Sequence, residues 1–270
     1  MVFKKSDIIQ PKFDVMFFVS FYMMFTNQKN YFLIAACNII AVLLLLSWYL
    51  NVCLDFPGIW NTADRSVFEF FNQRLYPVSG FTWLVAVTNV RIFDLAAMLA
   101  MGLVFACYFL KETPEGRHRL FCVFLFMVLF AVAVKLLCNL IPFDRRSPTK
   151  EFAGINLVSK LVSFPLKVKD GSNSCFPGDH GVMLLIFSFV MLRYLGVRAF
   201  TAAMAVFAVF SLPRIMSGAH WFSDVAVGSV SVTLIACSWV MLTTCSDRVV
   251  AFLEQKVPHD WRIFSFGRGK

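Results

Sequence analysis

Six apolar runs, at residues 32–50, 92–110, 120–141, 181–195, 199–212 and 225–242, constrain this chain more than any other feature. Crossing a bilayer takes about 20 helical residues, and these runs meet or approach that length. In hydrocarbon the backbone must satisfy its own hydrogen bonds, so apolar segments of this size span as helices. The chain therefore reads as all-α: a polytopic membrane bundle of six transmembrane helices, with an interfacial helix between the first two. Composition agrees, since 59% of the 270 residues are hydrophobic and 15% charged. A soluble domain carries roughly a quarter charged residues. Cys37, Cys107, Cys122, Cys138 and Cys237 lie inside the runs and read as small hydrophobes. No CxxC or Cys/His metal spacing occurs, so neither a metal nor another cofactor is expected.

The order of the runs divides the chain into an extension (1–30), a membrane domain (31–246) and a polar tail (247–270). In the extension, Lys4, Lys5 and Lys12 accompany an apolar run at 13–25 that is too short to span comfortably. It has no small-residue cleavage site, and reads as an interfacial anchor or an extension from an upstream start codon. The first span ends in Trp48 and Tyr49, which suit an aromatic belt. Beyond it Val67, Phe71 and Leu75 recur at helical spacing among Asp64, Arg65, Glu69 and Arg74, the pattern of a helix lying in the interface.

Two polar islands interrupt the apolar pattern: Cys175-Phe176-Pro177-Gly178-Asp179-His180, and the segment from Pro213 to Asp224 that contains Arg214 and His220. Two crossings separate them, so they share one side of the membrane. The turns at 111–119 and 193–198, the N-terminal stretch and the tail share the other side, with Lys111, Arg117, Arg119, Arg193 and Arg198 among their cations. The positive-inside rule makes that side cytoplasmic and points the islands outward, to the periplasm of a Gram-negative cell. Arg145, Arg146, Lys150, Lys160, Lys167 and Lys169 depart from the rule, and cations kept outside suggest an anionic ligand. The net charge of +9 suits phosphate and anionic membrane lipids as partners, and nothing points to nucleic acid.

The islands carry reactive chemistry. His220 and Asp224 are four apart, so on a helix the carboxylate can fix one imidazole nitrogen and leave the other as nucleophile or base. His180 follows Pro177-Gly178-Asp179 at a helix start, where glycine permits close backbone approach and free amides attract anions. Arg145, Arg146 and Arg214 could grip phosphate oxygens. Helix capping and snorkelling arginines are the alternative readings.

These residues resemble the signature of the type 2 phosphatidic acid phosphatase superfamily, whose three blocks are Lys-x6-Arg-Pro, Pro-Ser-Gly-His and Ser-Arg-x5-His-x3-Asp. Arg214-x5-His220-x3-Asp224 keeps the third block apart from Pro213 in place of serine, and Pro177-Gly178-Asp179-His180 stands in the second. The first is the most altered: Arg146-Ser147-Pro148 has an extra residue, and Asn139 stands where lysine is expected, with Lys135 a substitute or a partner of Asp94. The resemblance implies a phosphohistidine on His220, oriented by Asp224, with His180 protonating the leaving group. Arg146 and Arg214, with Arg145, Gly178 and Asp179 nearby, would then form the phosphate site. Asp179, beside an anion site, is expected to pair with Arg145, Lys167 or Lys169.

The departures, with Arg91-Ile92-Phe93-Asp94 and Phe71-Asn72-Gln73 upstream, narrow the resemblance to the lipid A-phosphorylating branch of the superfamily. That branch implies transfer of phosphate from undecaprenyl diphosphate to the 1-phosphate of lipid A (Kdo-lipid A), at the periplasmic face of the inner membrane. The loop at 142–175 would serve as lid, and the Val67/Phe71/Leu75 face would hold acyl chains. A polyprenyl-diphosphate or phospholipid phosphatase, and a non-catalytic membrane binding protein, are the competing readings.

Overall fold

A computed structural model describes residues 30–77, 79–140, 143–163 and 165–259. The run at 13–25 and the end of the tail lie outside the described residues. The described chain is helical: α1 Tyr31–Cys53, α2 Trp60–Asn72, α3 Gly80–Thr88, α4 Arg91–Phe109, α5 Pro114–Cys138, and the short turns α6 Pro148–Glu151 and α7 Val158–Leu161. It continues with α8 Asp179–Leu195, α9 Val197–Met216, a π-helical segment Asp224–Ser229 that runs into α10 Val230–Met241, and α11 Cys245–Lys256. Local chemistry sets several of these starts. Asn30 caps α1 by accepting from the Leu33 amide at 3.1 Å, and Thr113 caps α5 ahead of Pro114 in its first turn.

Among the described residues, five helices, α1, α4, α5, α9 and Asp224–Met241 taken together, are long and apolar enough to cross a membrane. The sixth expected span is α8, which has 17 residues. Ten of them are buried, so α8 is the centre of the bundle rather than a lipid-facing helix. Ile186, Phe187, Val190 and Met191 interlock there with Phe126 and Val134 of α5, Ala199 and Ala203 of α9, and Cys237 and Met241 of α10. Outward faces stay apolar, with Leu43, Leu99, Leu103, Leu129 and Leu136 all more than half exposed, as lipid contact requires.

Three expectations change. The segment between the first two spans is two helices, α2 and α3. Leu75 is buried in a satellite core with Val85, Val90, Val158 and Val168, and Phe71 stacks on Phe81, so this face packs on protein and is not open to acyl chains. Trp48 is buried, stacked on Phe176 with centroids 4.1 Å apart, rather than resting in an aromatic belt. The polar tail begins with α11, whose Val250 and Leu253 pack into the main core beside α5.

Candidate active site

The first island, residues 175–180, is held by packing. Gly178 adopts φ +77°, and a Cβ there would meet Ser229 Oγ at 2.8 Å and the Asp224 carbonyl oxygen at 3.1 Å. At Gly181 a Cβ would meet Ser229 Oγ and, at 2.9 Å, Ser229 Cβ. Ser229 donates to the carbonyls of Pro177 and Gly178, both at 2.9 Å. The glycines thus let the start of α8 press against the π segment that begins at Asp224, which brings the two islands together. Gly178 acts here through this contact and not as backbone facing the cavity.

His220 and His180 line one cavity of about 440 Å³ with Lys135, Asn139, Lys169 and Asp179. His220 Nδ1 lies 3.5 Å from Asp224 Oδ2, close but without hydrogen-bond alignment, and is otherwise unpartnered. Nε2 is then the nitrogen available to a phosphorus atom. Asp224 is fully buried and held independently: Oδ2 accepts from the Trp221 amide at 2.8 Å, and Oδ1 from Arg145 at 2.7 Å. His180 Nε2 lies 3.2 Å from Asp94 Oδ1, and the same carboxylate pairs with Arg214.

The arginines are placed differently from expectation. Arg145 bridges Asp224 and, at 2.7 Å, Asp64, and also donates to Ser223 at 2.9 Å. Its guanidinium is committed to carboxylates and sits over Trp221 and Trp48. Arg214 is 3% exposed, and its donors reach Asp94 and Asn89. Arg146 faces neighbouring clefts with Lys150 and Asp144, outside the histidine cavity. Asp179 pairs at 3.2 Å with Lys135, and not with Arg145, Lys167 or Lys169. The partner of Lys135 is therefore Asp179 and not Asp94.

Sequence reasoning missed several supports. Asp64 accepts from the Ser223 amide at 2.7 Å and from its hydroxyl at 2.6 Å, and burial raises its carboxyl above the ordinary value while Arg145 and Ser223 pull the other way. The signal was present: Asp64, Phe68 and Asn72 follow one another at i, i+4, i+8 on the buried face of α2. Asn89, fully buried, donates to the Pro213 carbonyl at 3.0 Å and accepts from Arg214 and Ser217. Nothing local marks it.

Cys175 Sγ, a His220 ring nitrogen and an Asp224 oxygen lie within 4.8 Å of one another, a grouping that could in principle hold a metal. Its donors are already engaged: the Cys175 thiol, pushed up to about 12 by burial, has the Ala219 carbonyl as partner at 3.3 Å, and Asp224 is held by Arg145 and the Trp221 amide.

In a helical membrane bundle, a polar cavity of two histidines, each backed by a carboxylate, suits nucleophilic phosphate chemistry. The chain is 47% identical over 231 residues to lipid A 1-diphosphate synthase of Escherichia coli (strain K12), a match covering 85% of this chain and 95% of that protein. It belongs to the lipid A 1-diphosphate synthase family. No family model matches the chain. Nor does any solved structure.

Proposed function

We propose that this chain transfers the terminal phosphate of undecaprenyl diphosphate to the 1-phosphate of lipid A, through a phosphohistidine on His220, at the periplasmic face of the inner membrane. The observation that carries the mechanism is the shared cavity of His180 and His220, with Asp224 behind the latter. His220 Nε2 attacks the terminal phosphorus, the bond to the bridging oxygen breaks, and undecaprenyl phosphate leaves. His180, which lies beside Asp94, donates the proton to that oxygen in this reading. Asp224, 3.5 Å behind the imidazole, balances the charge that forms on it. In the second half, an oxygen of the lipid A phosphate displaces the histidine nitrogen and a diphosphate results. The outward orientation rests on the distribution of cations between the two sets of loops.

The test uses purified protein in detergent. Undecaprenyl diphosphate alone should release little inorganic phosphate, because the cavity must exclude water in favour of a scarcer acceptor. Adding lipid A should yield undecaprenyl phosphate and a lipid A species heavier by one phosphate. Rapid phosphate release indifferent to lipid A would make the chain a phosphatase and overturn the proposal.

A further inference from the structure

Beside the histidine cavity lies a second groove, of about 660 Å³, lined by Arg91, Ser159, Leu166, Lys167 and Asp170 among others. Lys169 lines both. The strap that carries it is pinned in place: Val168 forms an antiparallel bridge with Val90, and the Lys169 amide donates to the Asn89 carbonyl at 2.9 Å. Asn89 and Val90 directly precede Arg91, so one contact sets the strap, the start of α4 and the groove between them. Among the described residues, no carboxylate lies within ion-pair distance of Lys169, Lys167 or Arg91. Lys135, the other lysine of the histidine cavity, is by contrast paired with Asp179.

This arrangement suits one demand of the proposed reaction. Making a diphosphate brings an anionic acceptor against an anionic phosphoryl group, a repulsion that hydrolysis by neutral water does not face. A cation between the two groups relieves it. We propose that the Arg91/Lys167 groove binds the phosphate monoester of the acceptor, and that Lys169, on the shared wall, spans it and the phosphoryl group on His220. The inference rests on the phosphohistidine reading above. In the step it serves, an acceptor phosphate oxygen forms a new P–O bond as the P–N bond to His220 breaks. The electron pair returns to the imidazole nitrogen and no proton need move.

Half-reactions separate the outcomes. The full chain is labelled from undecaprenyl diphosphate carrying 32P in its terminal phosphate. Discharge of the acid-labile phosphoenzyme is then timed in water and with lipid A. With Arg91→Ala and Lys167→Ala combined, discharge to lipid A should slow by about 10- to 100-fold, the scale of losing charge-assisted contacts to a phosphate, with less effect on discharge to water. Lys169→Ala should lose at least as much, and Lys169→Arg should recover most of it. Arg248→Ala, on α11 at the other end of the bundle, controls for net charge. Lipid A discharge within threefold of wild type in the double variant would overturn the inference. Equal slowing toward water and lipid A would also overturn it, since a structural fault acts on both. If wild-type protein forms no phosphoenzyme, the functional reading falls and the groove is judged by lipid A binding alone. There a tenfold weaker association of the double variant supports it and an unchanged one refutes it.

Discussion

At the scale of single residues, the environment of Asp224 decides what its loss would do. The carboxylate is fixed by Arg145 and the Trp221 amide, so its position does not depend on His220. Asp224→Asn keeps the shape but leaves Arg145 with one neutral partner and removes the charge facing the imidazole. Phosphate transfer should fall by about 10²–10⁴-fold, the range for disabling an oriented general base or nucleophile. His220→Ala should abolish the acid-labile phosphoenzyme altogether, and both are read by single-turnover labelling. Lys169 gives a pH prediction. Partial burial, which strips water from its ammonium, and after that Arg214, lower its pKa below the ordinary lysine value, while Asp94, Cys175 and Asp179 pull upward. A lowered lysine loses its proton earlier as pH rises, so acceptor transfer should decline on an alkaline limb lying below the free-lysine range. Lys169→Arg, always charged, should remove that limb.

At the scale of elements, the contact between the start of α8 and the π segment registers the two histidines. Gly181 lies against Ser229, so Gly181→Ala forces a methyl group into an occupied space. The expected cost is about 1–3 kcal/mol, as for other overpacked cores. Because the displaced element carries Asp224, activity should fall further than stability. Thermal unfolding in detergent set beside turnover reads both. An unchanged rate in a destabilised Gly181→Ala protein would mean that this contact does not register the site.

For the whole molecule, the Asp64–Arg145–Asp224 network ties α2, the loop after α5 and the π segment into one buried unit, with Trp48 of α1 donating to Ser223 at 3.0 Å. Removing one member of such a buried set leaves charge without a partner, at a cost of about 3–5 kcal/mol. Arg145→Ala should therefore lower the unfolding temperature clearly, leaving two buried carboxylates facing one another. Were Arg145 a phosphate ligand only, the same change would spare stability and raise the KM for donor. Unfolding temperature and KM measured on one preparation distinguish the roles.

The sequence by itself determined the helical membrane class and most span limits, because 18 or more apolar residues in water have few alternatives to burial in lipid. It also brought forward His180, His220 and Asp224, since polar islands at the edges of apolar runs stand out against their background. Tertiary structure decided the pairings. Arg145 and Arg214 look from the chain like phosphate ligands, but each lies beside carboxylates supplied by helices 79–81 or 120 positions away in sequence. Lys135, inside an apolar run, and Lys169, in the polar loop, carry the same charge, yet of the two only Lys135 lies within ion-pair distance of Asp179. Charge on a side chain is a local property that the sequence prints. Whether that charge is already neutralised depends on Coulomb interactions across a few ångströms of folded space, between residues that only packing brings together.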